Sequence, residues 1–305
     1  MWGLITTRVL SSVGVLWLSV STAFLALQCL PGRIEDILAG DTEYPGMREA
    51  IIAEWGLDKS LPEQYLDFLG RLLQGDLGTS YIMRTPVADV LGSQLWPTLQ
   101  LALTAGLLAV TLAVLISLAT AGRSPRWRRA ASLVELVCTS TPVFWIGIVL
   151  LMLFSFHWRW FPVSGAGGWR SLVLPSITLA LPSAGILAQV LREAMEKALE
   201  QPFVTTVRAR GLSETQVRSR HVLRHGLLPI VTLGGWLVGG LLGGAVITEK
   251  VFGRPGLGTV TLNAITAQDV PVVLAVVLLA AFIYVSISTV LDIAYLFIDP
   301  RLRNR

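Results

Sequence analysis

The stretch PTLQLALTAGLLAVTLAVLISLATA, Pro97–Ala121, decides the fold class of this chain. It contains no charged side chain and exceeds the roughly 20 apolar residues that a helix needs to cross a bilayer. The rest of the chain has the same character, because 53% of its 305 residues are hydrophobic and only 14% are charged. A soluble domain carries about 25% charged residues. The composition therefore excludes a soluble enzyme and predicts an integral membrane protein.

Five further apolar runs reach spanning length: Val9–Leu30, Leu133–Phe156, Leu172–Leu191, Leu227–Thr248 and Pro271–Ile298. We therefore predict an all-α membrane protein with six transmembrane helices. The first run has an alternative interpretation as a cleavable signal peptide or as an anchor that ends in a lipid-modified Cys29. Its apolar core is longer than the roughly 7–15 residues of a signal peptide, and Gln28 is a poor residue before a lipidated cysteine.

Lysine and arginine are distributed unevenly over the loops. If the N-terminus lies inside, the Arg123–Arg129 loop, the Arg192–Arg224 loop and the C-terminal tail are all basic inner segments. The short outer loops then hold only Arg159, Arg170, Lys250 and Arg254. The positive-inside rule predicts that both termini are cytoplasmic. The net charge of +4 is thus explained by topology and by contact with anionic lipid headgroups, and no nucleic-acid partner is expected.

The outer segment 31–96, which follows the N-terminal transmembrane helix 1–30, is too long for a turn and is net acidic. Helical spacing connects four of its apolar residues: Leu61, Tyr65, Leu69 and Leu72. Gly75 is placed to end that helix, and Thr85-Pro86 predicts the start of another. We expect two or three short helices on the outer membrane face, which form either a lid or a docking and gating surface.

The inner loop 192–226 reads REAMEKALEQPFVTTVRARGLSETQVRSRHVLRHG. Helix-forming residues on both sides of Gly211-Leu212-Ser213 predict a helix that projects into the cytoplasm and a short helix across its tip. His221 and His225 have the spacing of a shared metal site on one helical face. They lack a third ligand, so a solvated basic face is the better interpretation and no metal is expected.

The ionisable residues predicted at membrane depth are Glu135 and Asp292, each about two turns from a cytoplasmic helix end. The neighbouring arginines are Arg128 and Arg129 for Glu135, and Arg301 and Arg303 for Asp292. They favour structural ion pairs near the interface over a proton relay. The chain has no G-x-x-x-x-G-K-[ST] phosphate loop and no nucleophile or metal constellation, so we expect a subunit without catalytic activity.

Small residues recur every four positions in the fifth apolar run: Gly235, Gly239 and Gly243, with Gly240 and Gly244 repeating the step. Such ridges allow another helix to approach closely. The pattern predicts tight helix packing, and the alternative is that these glycines line a pathway or a moving seam.

The inner-loop sequence VRARGLSETQVRSRHVLRHGLLPIVT, Val207–Thr232, resembles the cytoplasmic signature of binding-protein-dependent ABC importer permeases. The resemblance is closest to the dipeptide, oligopeptide and nickel branch. Four further stretches resemble the same branch: Gly56–Ser80 with Pro86-Val87, Ser140–Ser155, Thr248–Val260 with Asp269–Pro271, and Leu291–Arg303. Two stretches depart from the family pattern: Pro31-Gly32-Arg33-Ile34 replaces Pro-Gly-Asp-Pro, and Thr205-Thr206-Val207 replaces Glu-Ala-Ala.

This resemblance implies the type I ABC importer permease fold in the bacterial inner membrane. The N-terminal helix would pack outside a transport core at 97–298, and 299–305 would form a cytoplasmic tail. The partners implied are a homologous second permease, two ATP-binding subunits that hold ATP and Mg, and an external solute-binding protein. The implied ATPase-coupling segment consists of Thr205, Thr206, Arg208, Ala209, Arg210, Gly211, Leu212 and Ser213.

The cargo that the resemblance implies is di- or oligopeptides, and nickel, a metal chelate or another small solute remains an alternative. A different class, a stand-alone channel or secondary transporter, is also open. Secondary transporters typically show repeated halves and broken helices at the midplane. The first three and last three runs show no convincing repeat, and the midplane lacks ionisable groups for ion coupling, so the importer subunit is preferred.

Overall fold

A computed structural model describes residues 2–28, 49–50, 52–53, 56 and 58–298. Within these ranges the regular structure is helical, apart from one isolated antiparallel bridge between Thr79 and Pro86. The predicted all-α class is therefore confirmed. The predictions for Cys29, for the corner Pro31–Ile34 and for the tail 299–305 lie outside the described residues.

The helices that position the candidate sites are α1 (Trp2–Gln28), α2 (Leu61–Leu73), α3 (Val87–Thr120), α4 (Pro125–Ser140), α5 (Val143–Leu150, continued by the π-helical turn Leu151–His157), α6 (Arg170–Leu199), α7 (Pro202–Ala209), α8 (Leu223–Val251), α9 (Leu257–Thr266) and α10 (Val270–Ile298). A short turn, Glu214–Gln216, and a π-helical turn, Val217–Val222, precede α8. Within the described residues, the six predicted apolar runs lie in helical structure except at Thr141, Pro142 and the terminal Ala121.

Four helical stretches of the described residues are long and apolar enough to span a membrane: Leu10–Gln28, Val87–Thr120, Arg170–Leu199 and Val270–Leu291. The pair α4 and α5 passes the same criterion when the two helices are taken together. Helix α8 has 29 residues and covers the fifth predicted run. Six spans remain our prediction from the sequence.

The predicted run Leu133–Phe156 is not one straight helix. Helix α4 ends at Ser140, α5 begins at Val143, and their axes differ by 101°. Thr141 has extended backbone, with φ −86° and ψ 127°. Pro142 explains this conformation, because a proline disfavours helical geometry in the residue before it and lacks an N–H for the helical hydrogen bond. Hydropathy alone does not reveal the bend, because the run is apolar on both sides of it.

The chain divides into two compact units, one formed by residues 1–96 and 259–285 and the other by residues 97–258 and 286–305. In the first unit, α2 has the bounds Leu61–Leu73, and Gly75 follows it with a φ of +79°. The helix predicted from the leucine spacing is thus present. The Phe24 ring of α1 lies 5.3 Å from the Tyr65 ring of α2, and Ser21 Oγ lies 2.6 Å from Tyr65 Oη.

In the second unit, small residues on α3 are fully buried at four-residue spacing: Ala105, Ala109 and Ala113. They belong to the same core as Leu187 and Leu191 of α6. The alanine stripe allows close helix packing, because side chains of this size keep backbones near one another. This core supports the base of α6, which carries the inner loop.

Candidate functional site

The predicted short helix across the tip of the inner loop is present as α7. Helix α6 continues to Leu199, and α7 begins at Pro202. Proline is favoured at this first helical position because its missing N–H would have no partner there. Val204 and Val207 are buried, so one face of α7 is fixed to the protein.

The chain turns sharply after α7, at the Gly211-Leu212-Ser213 break. Gly211 has a φ of +79°, in the left-handed region that glycine enters without steric cost. The next helical turn is capped by Ser213. Its Oγ accepts a hydrogen bond from the Gln216 N–H at 3.4 Å, and its own N–H donates to Gln216 Oε1 at 3.0 Å. The turn and its cap fix where the exposed residues of the loop lie.

Arg208 has a partner within its own loop. Its guanidinium donates to Glu214 from Nε at 2.7 Å and from Nη2 at 3.1 Å. This hydrogen bond lowers the pKa of the Glu214 carboxyl and raises the pKa of the Arg208 guanidinium. Sequence reasoning missed Glu214, although the pattern Ser213-x-x-Gln216 is a capping-box signal that places Glu214 in the first turn of a helix.

Most residues of the predicted coupling segment are exposed: Thr205, Thr206, Arg208, Ala209, Arg210, Gly211 and Ser213. Leu212 is half-buried and packs against the core of the second unit. The segment therefore combines a buried side with an outward polar face.

The two histidines of the loop lie in helical segments of different geometry. His221 lies in the π-helical turn, where the helical periodicity changes before His225. The His225 ring lies 4.9 Å from the Phe203 ring. Among the described residues, no group of three or more His, Cys, Asp and Glu side chains is arranged to hold a metal ion.

Glu135 forms a buried ion pair, but its partner differs from the one expected. Arg192 of α6 donates from Nη1 and Nη2 to its two carboxylate oxygens at 2.5 and 2.7 Å. Arg192 Nη2 also lies 3.1 Å from Ser132 Oγ. Arg128 pairs instead with Glu196, with 3.4 Å between Nε and Oε1. The side chain of Asp292 lies outside the described residues.

The glycines of α8 fall into two environments. A Cβ on Gly244 would lie 2.5 Å from Leu179 Cδ1, so α6 approaches α8 closely there. A Cβ on Gly240 or Gly243 would meet open space, and both residues are exposed, as is Gly239. The side of α8 at Gly235 is not described. Close packing against α6 thus explains why residue 244 is a glycine. The exposed residues Gly239, Gly240 and Gly243 form an uncovered strip without side chains on α8.

Glu249, at the end of α8, is fully buried and binds the start of α9. Its carboxylate accepts hydrogen bonds from Thr98 Oγ1 at 2.5 Å and from the Gly258 N–H at 2.8 Å. Thr98 Oγ1 in turn accepts from the Leu257 N–H at 2.8 Å. A Cβ on Gly256 would lie 2.2 Å from the carboxylate, which explains the glycine there. The sequence marked this stretch only through the family resemblance.

Arg254 lies beside Glu249 and is also buried. Its Nη2 donates to Gln100 Oε1 at 3.0 Å, and its backbone N–H donates to the Glu249 carbonyl at 2.8 Å. Burial lowers the pKa of its guanidinium. Through their hydrogen bonds to Thr98 and Gln100, Glu249 and Arg254 connect the end of α8 to the part of α3 that follows Pro97.

In the first unit, Asp269 organises the loop that precedes α3. Its carboxylate accepts from Ser80 Oγ at 2.5 Å and from the Tyr81 N–H at 3.1 Å. Ser80 is fully buried. Two stretches that carry the family resemblance, Gly56–Ser80 and Asp269–Pro271, therefore meet in space although 188 residues separate Tyr81 from Asp269.

Apolar helices of spanning length and a bent helix pair define a helical membrane protein. The model of the family described as "binding-protein-dependent transport system inner membrane component" matches residues 109–304. The chain belongs to this family, whose members are bacterial inner membrane proteins, and it is a permease subunit.

Two relatives illustrate the match. The chain is 34% identical over 299 residues to the glutathione transport system permease protein GsiC of Escherichia coli (strain K12) and to that of Salmonella typhi, with 98% of each chain covered. Among solved structures, the MetNI methionine ABC transporter in inward-facing conformations matches with a TM-score of 0.54 at 18% identity. This match covers 69% of the chain and 96% of that chain, and it shows a shared fold.

Proposed function

We propose that this permease subunit imports short peptides. The observation that carries the proposal is the 34% identity, over nearly the whole of both chains, to permeases named for glutathione transport. Glutathione is itself a tripeptide. In the proposed complex this chain pairs with a homologous second permease, two ATP-binding subunits hydrolyse ATP with Mg, and an external solute-binding protein delivers the cargo.

The exposed face of α7 is proposed to bind an ATP-binding subunit. Its buried seat at Val204 and Val207 supports this role, because a force applied to α7 is then passed to the protein and not absorbed by a loose loop. The Glu135–Arg192 pair joins α4 to the same helix α6 that leads into α7. ATP-driven closure of the partner subunits would then bias the permease between inward-open and outward-open states.

The uncovered strip at Gly239, Gly240 and Gly243 is proposed to face the second permease across the pathway. Exposed glycines suit such a place because no side chain obstructs the passage of a solute or the sliding of a helix. The outer segment 31–96 is proposed to dock the solute-binding protein. Several of its acidic groups already have local partners, such as Asp67 with Lys59 at 2.5 Å and Glu63 with the Ser60 N–H at 2.9 Å.

The cargo is tested with the complete complex reconstituted in vesicles. The solute-binding protein from the same genetic neighbourhood is loaded in turn with glutathione, a dipeptide, a pentapeptide, Ni²⁺ or no ligand, and ATP hydrolysis and uptake are measured. We expect stimulation with one or more peptides. Stimulation by Ni²⁺ or its chelate alone would replace peptide with metal as the cargo. Uptake by this chain alone without ATP would overturn the importer assignment.

A further inference from the structure

The start of α4 carries a dense basic cluster beside an exposed apolar surface. Four arginines lie within one short stretch: Arg123, Arg126, Arg128 and Arg129. Further along α4, the apolar side chains are exposed, with Leu133 63% and Val137 63% accessible. If α4 enters the membrane at its cationic end, its arginines lie at the lipid headgroups. Its exposed apolar side chains then lie in the hydrocarbon.

Two grooves flank α4 at this end. The first, of about 490 Å³, lies between α3 and α4 and has Thr120, Arg123 and Trp127 at its charged end. Its other lining residues are apolar: Ile116, Ala119, Ala130, Ala131 and Val134. The second, of about 520 Å³, has Arg128 and Arg129 at the charged end and Leu133 and Leu136 beyond Ser132. Both grooves change from cationic to apolar in the same direction.

The dimensions suit a lipid. Trp127 and Val134 are seven residues apart on α4, which is roughly 10 Å along a helix. This length accommodates a substantial part of an acyl chain when a phosphate lies at the arginines. Trp127 is 64% exposed at the charged end, and tryptophan rings favour the level of the headgroups.

A second arginine lies behind the mouth of the first groove and is held in place by the fold. Arg218 is buried and donates from Nη1 to the Ala121 carbonyl at 3.2 Å, at the end of α3. Burial is the main cause of its lowered pKa, and repulsion from Arg123 is the next. Arg123 at the groove mouth therefore adds to the positive potential that Arg218 creates, and an anion bound at Arg123 would relieve that repulsion.

The second groove also remains cationic. Arg128 is paired with Glu196, but with 3.4 Å between the charged atoms and with the arginine side chain 53% exposed. Arg129 lines the same mouth and is exposed. The partial pairing of one arginine therefore leaves the charge of the other available to a ligand.

We propose that these grooves bind an anionic phospholipid, with its phosphate at the arginines and an acyl chain along the apolar side of α4. The joint presence of guanidinium groups and continuous apolar lining favours a lipid over a soluble anion, which would leave the apolar part uncovered. It also favours a lipid over a protein surface, which would have to supply acidic groups at one end and an apolar side along the rest.

The test uses the assembled complex, purified in mild detergent and inserted into nanodiscs of phosphatidylcholine with a graded fraction of phosphatidylglycerol. Retained phosphatidylglycerol is measured by native mass spectrometry. The groove variants are Arg123→Gln and the double variant Arg128→Gln with Arg129→Gln. Arg126→Gln is the matched control, because it removes the same charge from the same stretch but Arg126 lines neither groove.

We expect phosphatidylglycerol retention to fall about tenfold for each groove arginine removed, since a direct hydrogen bond between a guanidinium group and a phosphate contributes at least that factor. The Arg126→Gln control should retain wild-type binding. Glu196→Gln breaks the ion pair of Arg128 without removing a positive charge, and it should bind at least as much lipid as the wild type. Thermal unfolding of each variant confirms that it is folded.

Three results would overturn the proposal. An equal loss in Arg126→Gln would reduce the effect to diffuse surface potential. Displacement of the lipid by excess inorganic phosphate would show that the arginines at the groove mouths bind a free anion and not a lipid. Loss of the second permease from the groove variants, with lipid retention unchanged, would make these grooves a subunit interface. None of these results depends on which cargo the importer carries.

Discussion

At the scale of single residues, Glu249 is the side chain on which several segments converge. Its buried carboxylate accepts from Thr98 and from the backbone at Gly258. A buried donor that loses its acceptor costs about 1–3 kcal/mol. Because Gly256 and Gly258 leave no space for a displaced side chain, the local structure cannot compensate by repacking.

We predict that Glu249→Gln lowers the free energy of unfolding by about 1–3 kcal/mol. The amide N–H₂ of glutamine would face either the Thr98 hydroxyl or the Gly258 N–H, and that donor would lose its acceptor. Thermal unfolding in detergent measures the loss. Glu200→Gln, at an exposed glutamate, is the control and should change stability by no more than about 0.5 kcal/mol. Equal stability of both variants would show that the carboxylate is not needed as an acceptor.

At the scale of elements, α7 and its turn act as one unit. Arg208 is paired with Glu214 across Gly211, whereas the family resemblance implied a role for it in coupling to an ATP-binding subunit. A charge reversal at Arg208 therefore changes the loop itself as well as its outer surface. Because Arg208 lowers the pKa of Glu214, the pair stays formed at neutral pH. It is lost only as the pH falls through the lowered value, below the ordinary glutamate pKa of about 4.3.

We predict that Arg208→Glu with Arg210→Glu preserves membrane insertion but abolishes substrate-stimulated ATP hydrolysis by the assembled complex. Glu214→Gln separates the two effects, since it frees Arg208 and leaves the outer charge in place, and it should retain most of the stimulation. The ATPase rate with and without loaded binding protein is the measurement. Wild-type stimulation in the double reversal would move the coupling surface elsewhere, and the Arg123–Arg129 loop would be the next segment to test.

The glycines of α8 give a second prediction at this scale. Gly244→Ala should destabilise the protein by about 1–3 kcal/mol, since its Cβ would overlap Leu179. Gly240→Ala and Gly243→Ala meet open space in this chain, so they should unfold at or slightly above the wild-type temperature, because alanine favours a helix over glycine, and yet reduce transport. Normal transport by both would argue against a pathway or seam at this strip.

At the scale of the whole molecule, the distribution of lysine and arginine predicts how the chain lies in the membrane. A cysteine introduced as Arg126→Cys should resist a membrane-impermeant thiol reagent in intact cells, because the positive-inside rule places that loop in the cytoplasm. The same cysteine should react after the membrane is permeabilised. Labelling from outside in intact cells would reverse the predicted orientation.

The sequence by itself determined the features that depend on neighbouring residues. Hydropathy located the apolar helices, and the break between α7 and the next helical turn followed from Gly211 between two helix-forming stretches. The end of α2 near Gly75 followed from the same kind of signal. Such features are local, because each is set by the preferences of a few consecutive side chains and by burial in lipid.

Only the tertiary structure decided which distant groups meet. In the folded chain, Glu135 pairs with Arg192 and not with Arg128. Ser80 binds Asp269, and Thr98 binds Glu249. The tertiary structure also grouped residues 259–285 with the N-terminal unit. The physical reason is that the sequence offers several arginines or hydroxyl groups as possible partners for each carboxylate, and residue type alone does not distinguish them. Helix packing alone selects the one whose donor reaches the buried oxygen at hydrogen-bond distance.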